Sequence, residues 1–182
     1  MPKLIRINQR RFLFLLFSIL FACFCKKPTP KTNPEPIPNQ IVEAFKLTES
    51  VSGKKFYQLK ATKAYLFESL NKIEVIAPEI VFFDSDGKEF SILVAKSGTV
   101  NNQTSDLIAR QEVVVRTSDS TYLYTDSLVW LNNRQIVTTD AWVKIKSPQG
   151  DIEGQGLIAD AGLTKIEVKS AVKGKSNYQF EK

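Results

Sequence analysis

What most constrains the fold is a strand pattern that repeats itself. From residue 41 onward, short stretches rich in Val, Ile, Tyr, Phe and Thr alternate apolar with polar residues, and clusters of Gly, Asn, Asp and Ser break them up. This is the signature of half-buried β-strands joined by turns. Four segments align: Leu59-Lys60-Ala61, Leu93-Val94-Ala95, Leu123-Tyr124-Thr125 and Ile152-Glu153-Gly154, their small residues 34, 30 and 29 positions apart. A second apolar strand follows each small residue after 18 or 19 positions: Ile80 to Phe82, Val113 to Val115, Val143 to Ile145, and Val172. A unit of about 30 residues holding two antiparallel strands cannot bury its apolar face alone, so the units must stack into one array with two ends.

The turn signals support the same reading. Ser52-Gly53-Lys54, Asp84-Ser85-Asp86-Gly87, Asn101-Asn102, Asn132-Asn133, Pro148-Gln149-Gly150 and Gly162 recur at the spacing of stacked hairpins. No helix is required: the nearest approach to a helical pattern, Ala61 to Asn71, carries Thr62, Tyr65 and Phe67, which suit a strand. The expected class is therefore all-β, an antiparallel array built from two-strand repeats over residues 41–182.

If two sheets face each other, the period-2 face that stays apolar points inward. That face carries Leu59, Ala61, Ile80, Phe82, Leu93, Ala95, Val113, Val115, Leu123, Thr125, Val143, Ile145, Ile152 and Gly154. Small residues stand at the same place in every unit: Ala61, Ala95, Thr125 and Gly154. They either leave a trough along the axis, which would suit a lipid acyl chain, or receive large residues from the opposite sheet.

Composition removes most catalytic chemistry. There is no histidine, and both cysteines, Cys23 and Cys25, lie in an N-terminal apolar run. The folded part thus has no imidazole base, no Cys/His metal cluster and no thiol nucleophile, and no cofactor or metal is expected. The carboxylates Asp84, Asp86 and Glu89, or Asp126 and Asp140, are the remaining nominees for a hydrolase. Asp84-Ser85-Asp86-Gly87 resembles the start of a calcium loop, but its twelfth position is Ala95 rather than Glu, so a hairpin turn is the better reading. Asp151 and Glu153 flank Ile152 and should face solvent, and Trp130 and Trp142 suit core or rim packing. The net charge of +6 is concentrated at one end: without Lys3, Arg6, Arg10 and Arg11, 21 basic residues face 19 acidic ones. A nucleic-acid partner, which needs clustered Lys and Arg, is not expected.

Residues 1–11 are basic and residues 12–25 are apolar apart from Ser18, the order of a signal peptide. The apolar run is short of the roughly 20 residues a spanning helix needs. Leu20-Phe21-Ala22-Cys23 is similar to a bacterial lipobox, so residues 1–22 are expected to be a lipoprotein-type signal and Cys23 the lipidated residue, with an uncleaved N-terminal anchor as the alternative. Residues 26–40 hold five of the eight prolines and read, with Cys23, as an extended tether over residues 23–40.

Four runs carry a family resemblance: Phe56 to Tyr65, Ala77 to Phe83, Thr139 to Ile145, and Gly150 to Leu157 with Asp160. In order and spacing, over about residues 41 to 174, they resemble the LptC family, the periplasmic component of the lipopolysaccharide export system, within the wider group of OstA/LptA-like jellyrolls. Trp142 stands where a proline is common, and the N-terminus is similar to a lipoprotein signal where many relatives keep a spanning helix. The resemblance implies a twisted, open β-jellyroll whose apolar groove holds the acyl chains of lipopolysaccharide. It implies transfer from an inner-membrane ABC transporter, met at the N-terminal edge near residues 41–50, to an LptA-like bridge protein, met at the C-terminal edge near residues 163–174. It also implies a periplasmic, non-enzymatic protein anchored at the inner membrane. A membrane-anchored scaffold or adhesin that uses the same β-edges is the competing reading.

Overall fold

A computed structural model describes residues 36–176 of the chain. Among them are eleven strands: β1 (Gln40–Val51), β2 (Lys54–Phe67), β3 (Lys72–Ile76), β4 (Glu79–Phe83), β5 (Glu89–Val94), β6 (Ser97–Asn101), β7 (Leu107–Thr117), β8 (Tyr122–Leu131), β9 (Ile136–Ser147), β10 (Gly150–Asp160) and β11 (Ile166–Ser176). The helix-like stretch after Ala61 is strand to Phe67, followed by a single 3-10 turn, Glu68–Leu70. The expected signal peptide, residues 1–22, with Cys23 and the expected tether as far as residue 35, lies outside the described residues. The last of the expected tether, 36–39, runs into β1, with the Asn39 N–H donating to the Leu66 carbonyl at 2.7 Å.

The pairing order is that of a meander folded along its middle. The first half of β2 pairs with β4 and its second half with β3, while β7 pairs first with β6 and then with β5. The segments β3–β4 and β5–β6 thus each take the part of one long strand, interrupted at Ala77-Pro78 and at Ala95-Lys96. Proline cannot donate to a ladder, and here it stands where the strand must break. All neighbours are antiparallel, and every long strand crosses from one layer to the other. The first layer holds the end of β1, the start of β2, β4, β5 and the matching halves of β7 to β11; the second holds β3, β6 and the remaining halves.

The crease between the layers is built from bulges. Register shifts fall at Arg110/Val113 in β7, Thr125/Val129 in β8 and Gln155/Leu157 in β10. Left-handed residues mark the same line: Ala44 in β1, Ala77, Gln111 and Glu112 in β7, Gly156 in β10 and Ala171 in β11. An extra residue bends a strand and sharpens its twist, and the skipped residues place the extra ones in β7, β9 and β11, which folds the sheet into a V. The turns form the two rims. Turns at 52–53, 84–87, 118–120 and 148–149 edge the first layer, and those at 68–71, 101–105, 132–135 and 161–164 edge the second.

Cross-strand register shows what the sequence repeat means. Leu47, Leu59, Ile80, Leu93, Val115, Leu123, Ile145 and Ile152 are successive neighbours across the first layer. The residues aligned by the 30-residue unit therefore form one transverse row. In the second layer Leu66, Ile73, Val100, Leu107, Trp130, Val137, Ala159 and Ile166 form the facing row. The middle members of both rows are buried in one hydrophobic cluster, each valine, leucine or isoleucine among them contributing about 1.5–3 kcal/mol of gross transfer free energy.

Candidate functional site

The interior of the V is the candidate site. Leu59, Ala61, Ile80, Phe82, Leu93, Val113, Val115, Leu123, Val143 and Ile145 all belong to the buried cluster, and Thr125 and Gly154 are buried with them. Two expected members stand apart. Ala95 is half-buried where β5 breaks at the crease, and Ile152 is 38% exposed because the row runs out beside it at Gly174. Val172, the fourth second-strand residue of the repeat, is 59% exposed in the last strand, which has no further strand beside it among the described residues.

The recurring small residues line the crease, where the layers approach most closely. Val113, Thr125, Val143 and Gly154 are cross-strand neighbours there. A Cβ on Gly154 would lie 2.4 Å from a methyl of Val168 and 2.9 Å from the Ser170 carbonyl. At Gly154 the space a side chain would take is filled by Val168 and the Ser170 carbonyl of the adjacent strand, β11. Thr125 is small for another reason as well, since its hydroxyl donates to the Trp142 carbonyl at 2.9 Å and so ties β8 to β9.

Polar groups within the interior are few. The Tyr57 hydroxyl donates to the Ser105 carbonyl at 3.4 Å across the gap between the rims. Burial, and after it the charge of Glu49, pushes its pKa well above the usual phenol range. Ser91 is buried in the same row as Phe82 and Thr117, and its hydroxyl has no partner. Such a surface offers dispersion contacts and almost no hydrogen bonds, which suits a hydrocarbon ligand.

Two of the carboxylates nominated for hydrolysis, Asp84 and Asp140, make structural contacts. Asp84 accepts the backbone N–H groups of Asp86 and Lys88, both at 2.9 Å, as a hairpin turn does. Asp140 pairs with Lys169 at 2.6 Å. Glu153 faces outward against Lys144, whose hydrogen bond and charge hold the Glu153 carboxyl below its usual range. No cluster of His, Cys, Asp and Glu among the described residues could hold a metal ion, and no described helix is long and apolar enough to cross a membrane.

Both ends of the V present unpaired edges. β1 pairs only with β2, and β11 only with β10, among the described residues. Val42, Phe45 and Leu47 at one end, and Ile166 and Val168 at the other, are half-buried members of the inward face. The expected docking stretches 41–50 and 163–174 therefore fall on β1 and on β11 with its preceding turn.

The repeat alignment missed the second layer, with Trp130, Leu107, Val100 and Ile73, and the mouth residues Phe56 and Phe90. Alternation within Ile73-Glu74-Val75 and Leu128-Val129-Trp130 was a usable signal for the first group. Nothing in the pattern flagged the second, because both residues are the extra ones of bulges. Pairing passes from Glu49–Tyr57 to Ser50–Lys55, skipping Phe56, and from Phe82–Ser91 to Phe83–Glu89, skipping Phe90.

The family profile described as lipopolysaccharide-assembly, LptC-related, matches residues 12–178. Among solved structures the fold is similar to that of LptH, described as the LptA-homologous periplasmic component of the lipopolysaccharide transport device of Pseudomonas aeruginosa. The TM-score is 0.54 at 9% identity, covering 67% of this chain and 95% of that one. That identity speaks to the fold alone. A search of curated proteins gave no match.

Proposed function

The chain belongs to the LptC-related family of lipopolysaccharide-assembly proteins, and we propose that it carries lipopolysaccharide through the periplasm without performing catalysis. In this reading the acyl chains occupy the interior of the V and the saccharide head stays outside. The observation that carries it is the pair of inward apolar rows that run transversely across the sheet, the first from Leu47 of β1 to Ile152 of β10 and the second from Leu66 of β2 to Ile166 of β11. An unpaired edge can add a strand from a second jellyroll, and the rows would then continue into that neighbour. The β1 edge faces the inner-membrane ABC transporter that supplies the lipid, and the β11 edge faces an LptA-like bridge protein that receives it. Lipidation of Cys23, or retention of the N-terminal apolar run, holds the domain at the inner membrane. The domain needs no cofactor, because extraction of the lipid is driven by the transporter and the rest is transfer between similar apolar surfaces.

The test is to purify the chain from membranes in mild detergent, incubate it with excess lipopolysaccharide, and identify bound lipid by native mass spectrometry. A complex approaching one lipid per chain supports the carrier. A folded chain that takes up no lipid leaves the scaffold or adhesin reading standing in its place.

A further inference from the structure

The mouth of the V, between the two rims, is closed by aromatic side chains that belong to different layers. Phe82 of β4 and Trp130 of β8 have ring centroids 5.0 Å apart, and Phe56 of β2 lies 5.7 Å from Trp130. Phe82 and Phe56 lie in the first layer and Trp130 in the second, so these contacts bridge the gap rather than run along a sheet. Tyr57 and Phe90 extend the cluster, with centroids 5.9 and 6.4 Å from Phe82. Phe90 reaches the opposite rim, its ring 3.6 Å from where a Cβ on Gly162 would sit. Both Phe56 and Phe90 are turned toward the mouth by β-bulges, the device by which strands re-aim a side chain.

We infer that this aromatic cluster is the site where an acyl chain is admitted: Phe56, Phe82 and Trp130 form a clasp that parts at the rims, and the chain then occupies the space between them. The inference rests on the lipid-carrier reading above. Three features point to it. The interior is filled in this state, with Leu59, Leu123, Val143 and Leu157 fully buried, so a chain can only be taken up if the layers separate. The crease is a line of bulges and left-handed residues, whereas the contacts across the mouth are between side chains. Separation at the mouth therefore breaks no ladder hydrogen bond and gives up apolar side-chain contact and two long hydrogen bonds, from the Tyr57 hydroxyl to the Ser105 carbonyl and from the Ser105 hydroxyl to the Glu49 carboxylate. Finally, the cluster is drawn from β2, β4, β5 and β8 and not from the edge strands β1 and β11, so a chain admitted there need not thread through a docked neighbour.

The test uses the full-length chain in nanodiscs, with Trp142→Phe leaving Trp130 as the sole indole of the two present. Lipopolysaccharide is added, uptake is followed by a photo-crosslinker at Val143, and Trp130 emission is recorded on the same time course. The clasp predicts that Trp130 emission changes in step with capture at Val143. It also predicts that Phe56→Leu, which keeps an apolar group but removes an aromatic pair, speeds capture by roughly two- to tenfold. Capture at Val143 with no change in Trp130 emission, at a rate that Phe56→Leu leaves unaltered, overturns the clasp while the carrier stands, and places admission at an open end. Absence of capture in every variant overturns the carrier reading and the clasp with it.

Discussion

Gly154→Ala adds one methyl group at the crease, and the structure gives its cost. The new carbon would lie 2.4 Å from a Val168 methyl and 2.9 Å from the Ser170 carbonyl, both inside van der Waals contact. Gly154 is not among the left-handed residues, so the strain comes from crowding and not from the backbone angle. Overpacking of this kind costs about 1–3 kcal/mol, and the lower entropy of alanine in the unfolded chain offsets roughly 0.4–1 kcal/mol of that. The expected net loss is about 1–2 kcal/mol. In urea, with a slope near 2 kcal/mol/M, the unfolding midpoint falls by about 0.5–1 M. Val168→Ala in the same chain removes the nearest clashing methyl but not the Ser170 carbonyl. The double variant should therefore recover part of the loss, with a coupling of about 0.5 kcal/mol or more in favour of the pair. A midpoint shift below about 0.2 M for Gly154→Ala, or strict additivity in the cycle, refutes the assignment of Gly154 to close packing and returns it to a lumen.

The two tryptophans should separate sharply in chemical denaturation: Trp130→Ala, at 2% exposure, costs about 3–5 kcal/mol, whereas Trp142→Ala, at 46% exposure, changes stability by about 0.5 kcal/mol; similar losses would contradict the inside–outside assignment. Tyr57 is fully buried with a raised pKa, so its contribution is intact below pH 10 and is lost as pH rises through the folded-state value, at up to about 1.4 kcal/mol per pH unit. Tyr57→Phe should flatten the urea midpoint between pH 10 and 11.5 relative to wild type, and an unchanged slope would contradict the burial. Burial opposes ionisation of Asp160, but hydrogen bonds from Thr164 and the Lys165 N–H outweigh it and hold the carboxyl below its usual range. Its contribution is present above about pH 4 and fades as pH falls through the lowered value. Asp160→Asn should therefore destabilise the chain at pH 7 and reduce the loss seen between pH 4 and 2, and an acid limb identical to wild type would count against it.

The fold was legible because its repeat is a register. The segments led by Leu59, Leu93, Leu123 and Ile152 match in sequence because they are rungs of one transverse row, and a row buried on one side imposes the same alternation on every strand. The second layer was less legible because β3 and β6 are short strands set off by Ala77-Pro78 and Ala95-Lys96, so units one and two do not superpose on units three and four beyond the crease. The aromatic mouth was not legible at all. Phe56 and Phe90 occupy outward positions by simple alternation, and only the skipped residue in each pairing brings them inward. The small residues were legible as a recurring position with their meaning undecided, since a missing side chain reads the same in a trough and against a neighbouring strand.

If hydrocarbon lies inside the V, neighbouring residues of one strand must differ in what they capture. A photo-crosslinker at Leu123, which is fully buried, and one at Tyr124, which is 38% exposed on the opposite face of β8, are carried by otherwise identical chains in cells that make lipopolysaccharide. Adducts with lipopolysaccharide are expected from position 123 and none from position 124. Equal capture at both positions, or capture at 124 alone, would contradict it.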